Sequence, residues 1–112
     1  MSLQAAAEVR PLTPGDLPAV RALLDADPVG NVFVSARLDV AGIESLSRSR
    51  ELVGYWDEGR LSALCYAGAN LVPVNATPQA VEAFAVQASR QVRRSSSVVG
   101  RAPAALRLAE LL

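Results

Sequence analysis

The spacing of apolar and polar residues along the chain predicts strands and helices that follow one another in a regular order. Residues 9–12 read as a short strand, after which Thr13 is a suitable helix cap and Pro14 a suitable first helical residue. Apolar residues then recur at helical spacing until Pro28, where the helix should end because the residue before a proline avoids helical angles. We therefore predict a strand followed by an amphipathic helix.

A second helix is predicted to begin at Asn31, another good cap, and to end near Val40, because Gly42 follows soon after. Residues 45–50 alternate serine with larger side chains and show neither helical periodicity nor the apolar content of a strand. We expect a mobile loop there. Contact of this Arg/Ser run with phosphate or nucleic acid is the less favoured alternative, because such short runs are usually solvated surface.

The next segment predicts an antiparallel hairpin and a third strand. Residues 52–56 and 61–67 are strand-like and flank a turn in which Gly59 is free to take the positive φ that a tight hairpin requires. Residues 71–75 form a further strand that contains Pro73. Because proline has no N–H, we expect Pro73 at a point where the strand does not donate to a partner.

The last part of the sequence predicts a helix, a strand and a helix. Thr77 caps and Pro78 opens the first of these helices, whose apolar stripe consists of Val81, Phe84, Ala85, Ala88 and Val92. Residues 96–99 read as a short strand, and Pro103 opens a final helix that stays apolar to the end of the sequence. The strands on either side of the first helix should be parallel, with a right-handed crossover. The order predicts an α/β fold with a mixed sheet.

Composition excludes several classes of function. Eleven Arg, no Lys and eleven acidic residues give zero net charge, so no overall field favours nucleic acid or anionic lipid. We expect neither a membrane span, which needs about 20 predominantly apolar residues, nor a signal peptide, and we predict a cytoplasmic protein. With no His and one Cys, the chain holds no Ser-His-Asp or Cys-His site, no internal disulfide and no set of zinc ligands. We expect no metal.

Several side chains have both a structural and a functional interpretation. Cys65 lies in an apolar strand without a basic neighbour, so an inert buried thiol is favoured over a reactive one. Trp56 is either an exposed platform for a ligand or partner, or it packs under the first helices, which is the favoured interpretation. Arg90, Arg93 and Arg94 complement the dipole at a helix end, and phosphate binding is their less favoured role. No acidic pair justifies a catalytic assignment, so the catalytic residues stay unknown.

Parts of the sequence resemble the GNAT family of N-acetyltransferases. Residues 9–17, VRPLTPGDL, are similar to the usual opening of that family, and the turn at residues 57–61 is similar to its second-to-third-strand turn. The run DPVGNVF at residues 27–33 and the run LSALCYAGANLVPV at residues 61–74 are more specific. They resemble the uncharacterised domain that precedes the catalytic domain in a group of actinobacterial GNAT acetyltransferases. The similarity covers nearly the whole chain.

The resemblance implies a fold, a domain arrangement and an activity of the parent protein. The fold would be α/β with a mixed sheet, GNAT-like or acyl-CoA N-acyltransferase-like, and incomplete at its C-terminal end. Residues 1–112 would form a single GNAT-like N-terminal domain, a fragment of a longer two-domain chain whose parent activity is acetyl transfer from acetyl-CoA to an amine. We expect it to pack on the C-terminal catalytic domain or on a second copy of itself, as a dimer.

The cofactor site of the GNAT family is not expected in this segment. In that family a glycine-rich turn and the helix N-terminus after it hold the coenzyme A pyrophosphate through backbone N–H groups. The equivalent residues 74–80, VNATPQA, contain no glycine, and Asn75, Ala76, Thr77 and Pro78 stand where the motif would be. No cofactor-binding residue is therefore carried over, and we expect this segment alone to bind no cofactor and to be inactive.

The resemblance also implies a cleft, because GNAT sheets splay between their fourth and fifth strands. It places residues 72–75 beside the cleft, with Asn75 at its mouth and Asn70 at the start of the strand. That both asparagines simply serve turns is the favoured alternative. We interpret the chain as an accessory, non-catalytic domain of an N-acetyltransferase. Two alternatives stay open, namely part of an active acetyltransferase that a missing tail or partner chain completes, or a small-ligand sensor that uses the cleft.

Overall fold

The computed structural model describes residues 7–68, 70–89, 97–98 and 102–112, and it has the predicted strands and helices in the predicted order, with one additional helix at residues 43–48. The elements are β1 (Glu8–Pro11), α1 (Leu17–Asp25), α2 (Val32–Ala41), α3 (Ile43–Arg48), β2 (Leu52–Asp57), β3 (Arg60–Ala67), β4 (Asn70–Val74), α4 (Pro78–Ser89), β5 (Ser97–Val98) and α5 (Ala102–Leu111). The fold is therefore mixed α/β, as the sequence predicted. No helix in the described ranges has both the length and the apolar character that crossing a membrane requires.

The strands form one five-stranded sheet in the order β1-β2-β3-β4-β5. Its first four strands are antiparallel, and β5 adds parallel to β4, with Asn70 opposite Ser97 and Leu71 opposite Val98. A parallel neighbour requires a crossover connection, and α4 lies in that connection. The predicted mixed sheet is confirmed, while the handedness of the crossover stays a prediction.

Helices cover both faces of the sheet. On one face, Leu24 of α1, Leu38 of α2 and Leu46 of α3 join a buried cluster with sheet residues that include Leu64. On the other face, residues of α4 and α5 form a second buried cluster with sheet residues that include Cys65. Adjacent residues of a strand point to opposite faces, so β3 supplies both clusters at once. Each layer of helices thus depends on the same central strand.

The hairpin between β2 and β3 has the turn that the sequence predicts. Glu58 and Gly59 both have positive φ, 53° and 76°, which is the backbone of a two-residue hairpin loop whose twist matches that of the strands. The register shifts between Tyr55 and Trp56, so that Tyr55 pairs with Ala63 and Trp56 with Leu61. This β-bulge leaves residue 62 without a Cα partner in β2.

The prediction of a mobile loop at residues 45–50 is wrong, because most of that segment lies in helix α3. Gly42 ends α2 with φ at 82° and immediately precedes α3, so the chain turns between the two helices without a linker. That turn carries Leu46 into the core, where it is 1% exposed. A helix of six residues buries too few side chains to show a period in its sequence.

The predicted helix starts lie at the expected positions, but two of the side chains bond differently. Asn31 precedes α2, yet its side-chain amide donates to the Leu24 carbonyl oxygen at 3.2 Å instead of capping the helix. At the first helix start, a short 3-10 turn over Pro14–Asp16 precedes α1. Here the Asp16 carboxylate accepts hydrogen bonds from the backbone N–H of Thr13 at 2.8 Å and from its hydroxyl at 3.0 Å.

Gly54 in β2 lies where the surrounding side chains leave no room for a Cβ. A Cβ at this position would lie 2.6 Å from Leu61 Cδ1 and 2.7 Å from Leu12 Cδ2, and Leu12 is fully buried. We expect Gly54→Ala to lower the free energy of unfolding by about 1–3 kcal/mol through overpacking, measured by urea denaturation. Gly15→Ala is the matched control, since its Cβ would meet only Thr13 Oγ1 at 3.7 Å. Equal losses in the two variants would contradict this account.

Cys65 is a core residue whose thiol is kept protonated. It is 1% exposed, and removal from water raises the pKa of the thiol from 9.0 to about 12, although a backbone hydrogen bond with Val72 acts in the opposite direction. The neutral thiol is neither nucleophile nor metal ligand, which agrees with the favoured interpretation of this residue.

The raised pKa of Cys65 predicts a pH dependence of stability. Below pH 9 the thiol is protonated in both the folded and the unfolded chain, whereas between pH 9 and about 12 only the unfolded chain releases the proton. The free energy of unfolding should therefore fall by about 1.4 kcal/mol per pH unit above pH 9 from this group alone. Urea denaturation across this range should give a shallower decline for Cys65→Ala. If the free energy of unfolding falls equally with pH in both proteins, burial does not raise the pKa of the Cys65 thiol.

Candidate functional site

A cavity of about 450 Å³ lies at one end of the sheet. It is formed where the connection between α1 and α2, the end of β4, the start of α4 and the start of α5 come together. The volume is in the range of small-molecule sites. Its lining combines aliphatic residues with the polar side chains of Asp27, Asn31, Asn75 and Thr77.

The end of β4 forms another wall of the cavity. The described residues of β5 pair with Asn70 and Leu71, at the beginning of β4. Val72 and Pro73, which come next, pair with Tyr66 and Cys65 of β3 and also line the cavity. Pro73 thus lies beyond the described pairs with β5, and proline has no N–H to donate in the sheet.

Asn75 lies at the cavity and also stabilises the turn after β4. Its φ is 54°, in the left-handed region that asparagine tolerates better than most residues. Its side-chain amide donates to the carbonyl oxygen of Ser62 at 2.9 Å, and Ser62 is the residue that the β-bulge leaves without a Cα partner in β2. The bulge in the hairpin thus provides the acceptor that positions Asn75, so this residue serves a turn and lines the cavity at once.

The start of α4 has few free backbone N–H groups that could bind an anion. The Thr77 hydroxyl accepts the backbone N–H of Ala80 at 3.2 Å, which confirms the predicted cap, and Pro78 has no N–H to offer. Anion sites at helix starts depend on free N–H groups and on glycines that allow close approach. Here one N–H group is already paired and another is missing, and residues 74–80 contain no glycine.

The connection between α1 and α2 forms the opposite wall. The Asp27 carboxylate accepts the backbone N–H of Gly30 at 3.2 Å, and the Asn31 amide, as noted, binds the Leu24 carbonyl. Among the described residues that line the cavity, Asp27 is the one with a formal charge. The connection thus contributes one carboxylate to the lining, and that carboxylate is already engaged with the Gly30 N–H.

The three residues singled out from the sequence lie in different places. Asn75 lines the cavity, whereas Asn70 pairs with Ser97 at the beginning of β4 and is not among the lining residues. Trp56 packs against the cluster under the first helices, as the favoured interpretation has it, with the Arg10 guanidinium 4.0 Å from its ring centroid. Its indole nitrogen is buried without a hydrogen-bond partner in the described part of the chain. The structure therefore keeps Trp56 apart from the cavity.

Sequence reasoning missed one wall of the cavity and part of another. Leu23, Ala26 and Gly30 come from the first connection, and Pro103 and Ala104 come from the start of α5. The turn-forming composition of residues 27–31 signals a loop, but no local pattern indicates which distant strand that loop faces.

Few groups near the cavity have the chemistry of a catalyst. Within the described ranges, no group of three His, Cys, Asp or Glu residues is placed to hold a metal ion. Of the acids near the hairpin, Glu51 lies 4.0 Å from the Arg37 guanidinium, while Asp57 and Glu58 are exposed at the hairpin tip. The arginine cluster at residues 90–94 falls outside the described residues. The described geometry thus suits binding better than proton transfer.

Comparison with known proteins gives a family. No curated protein and no solved structure matches the chain. Residues 50–112 match the family model described as Domain of unknown function (DUF4081). The matched segment is 63 of the 112 residues, more than half of the chain, and it contains every element from β2 to α5. The chain belongs to the DUF4081 family.

Proposed function

We propose that this chain is an accessory, non-catalytic domain with a GNAT-like fold, associated with an N-acetyltransferase activity that resides elsewhere in the parent protein. GNAT N-acetyltransferases transfer an acetyl group from acetyl-CoA to an amine. The observation that carries the proposal is the start of α4, where Thr77 and Pro78 occupy the place of a phosphate-binding turn.

The element order supports the fold part of this proposal. A first strand, helices, three antiparallel strands, a crossover helix and a parallel strand follow one another as the resemblance to GNAT proteins implies. A cavity lined by Val72, Pro73 and Asn75 agrees with the cleft that the resemblance implies beside this strand. These features favour a GNAT-like chain over other α/β folds with mixed sheets.

The chemistry of the cavity supports the non-catalytic part of the proposal. Coenzyme A carries a pyrophosphate, and binding it requires donors that the Thr77 cap and Pro78 do not leave free. Asp27, the charged residue in the described lining, would repel phosphate, and it already accepts the Gly30 N–H. Cys65, a possible nucleophile, is buried in the cluster beneath α4 and α5 and keeps its proton.

Calorimetric titration of acetyl-CoA into the full chain tests the proposal. We expect no binding at concentrations up to about 1 mM, because the free energy from the pyrophosphate contacts is missing. An active GNAT N-acetyltransferase, titrated in the same buffer, provides the positive control. Binding with a Kd in the micromolar range would contradict the proposal and favour the alternative, a site that belongs to a working enzyme.

A second candidate function, binding of a small ligand, is favoured by the cavity itself. Its volume and its lining of aliphatic and polar side chains suit a small molecule that can form hydrogen bonds, such as an amine or an amide. Such a ligand would make the chain a sensor, and it would not require the coenzyme A site.

Thermal denaturation with a set of small amines and neutral amides tests this second function. A compound present at 100 times its Kd should add about 2.7 kcal/mol to the free energy of unfolding, and Tm should rise by several degrees. Ala26→Phe should remove the rise, because Ala26 lines the cavity and a phenyl ring would fill it. Ala22→Phe is the matched control, an exposed alanine of the same helix outside the lining. If the compound still raises Tm in the Ala26→Phe variant, it binds outside this cavity.

A further inference from the structure

Helix α2 carries apolar side chains on two opposite faces. On its inner face, Val34 and Leu38 are buried against the sheet, with 1% and 2% of their surface exposed. On its outer face, Val32 and Val40 keep 63% and 82% of their surface in water. A surface helix normally presents polar residues to solvent, so the outer face of α2 calls for a partner.

The exposed apolar residues form one continuous stripe. We call it the outer α2 stripe and define it by Val29, Val32, Phe33, Ala36 and Val40, of which Val29 lies just before the helix. Steps of three and four residues place these side chains on a single face. The ring of Phe33 packs edge-on against Tyr66, with the ring centroids 5.7 Å apart, so part of the stripe is already ordered before any partner binds.

The size of the stripe suits a small interface. Val29, Val32, Phe33 and Val40 keep 84%, 63%, 40% and 82% of their surface in water, which makes the stripe an apolar patch on the order of a few hundred Å². A standard interface buries about 800 Å² on each partner, of which a little over half is apolar. The stripe therefore supplies about the apolar area that one side of such an interface needs, and the residues around it would supply the polar rim.

The charges beside the stripe suit a second copy better than a charged partner. On one side, Arg21 of α1 bonds Asp39 at 2.6 Å, and on the other, Arg37 lies 4.0 Å from Glu51. Each side thus carries one positive and one negative group. A two-fold contact brings the same patch against itself, so this charge balance avoids self-repulsion, and the two balanced pairs give an anionic membrane no net attraction.

We propose that two copies of this chain associate through the outer α2 stripe about a two-fold axis that passes near Ala36. The small side chain of Ala36, between the larger Val32 and Val40, lets the two helices approach closely. The proposal goes beyond the accessory role and does not depend on it, because it concerns a surface on α2 and not the cavity.

The first test measures the mass of the full chain by analytical ultracentrifugation between about 1 and 100 μM, where small interfaces dissociate. We expect a dimer that Val40→Asp weakens at least tenfold. Leu106→Asp is the matched control, since Leu106 of α5 is also exposed, at 64%, but lies outside the stripe. A wild-type monomer throughout the range, or a dimer that Leu106→Asp disrupts while Val40→Asp does not, would overturn the proposal.

A crosslinking experiment tests for the proposed contact between two copies without a substitution that weakens it. Ala36→Cys places a thiol near the proposed axis, and mild oxidation should join two copies through a disulfide. Cys65 is buried and should not compete. Gln79→Cys, an exposed position at the start of α4, is the control and should give little crosslinked dimer. Equal crosslinking at the two positions, or none at Ala36→Cys in a chain that is dimeric by mass, would overturn the proposed interface.

Discussion

Burial of β3 from both sides is the constraint on which the rest of this structure depends. Ala63, Leu64, Cys65 and Tyr66 are all buried in succession, which happens only when helices cover both faces of a strand. The layer of α1, α2 and α3 and the layer of α4 and α5 are held together by this shared strand. The low exposure of Cys65, and hence its raised pKa, is a direct consequence of that arrangement.

The cavity depends on irregularities in the same sheet. The β-bulge in the hairpin frees the backbone of Ser62, and Ser62 holds the amide of Asn75 at the end of β4. In the described residues, β5 pairs with the beginning of β4, and Val72, Pro73 and Asn75 beyond those pairs line the cavity. At the start of α4, the Thr77 hydroxyl already accepts the Ala80 N–H, and Pro78 has no N–H to donate.

Helix α2 shows how one element serves two surfaces. Its inner residues complete the core under α1 and α3, and its outer residues form the apolar stripe. The cavity and the stripe share no residue, although they are adjacent along the chain, where Val29 of the stripe lies between Asp27 and Gly30 of the cavity lining. Binding of a small ligand and association with another copy would therefore not compete for the same residues.

The sequence by itself determined those features that depend on neighbouring residues. The turn at Gly59, the Thr77 cap before Pro78 and the paired faces of the hairpin follow from backbone preferences and from side chains only a few residues apart. The position of Trp56 under the first helices was favoured for the same reason, since strand alternation leaves only two faces to choose between.

Tertiary structure alone decided the rest. Helix α3 forms because the chain turns at Gly42 and Leu46 is then buried in the core. Its six residues are too few to show a helical period of apolar residues in the sequence. The walls of the cavity come from α1, β4 and α5, which are distant in sequence. Local propensity acts over a few residues, whereas a cavity or an exposed stripe is defined by how whole elements pack, and no short pattern of residues encodes that packing.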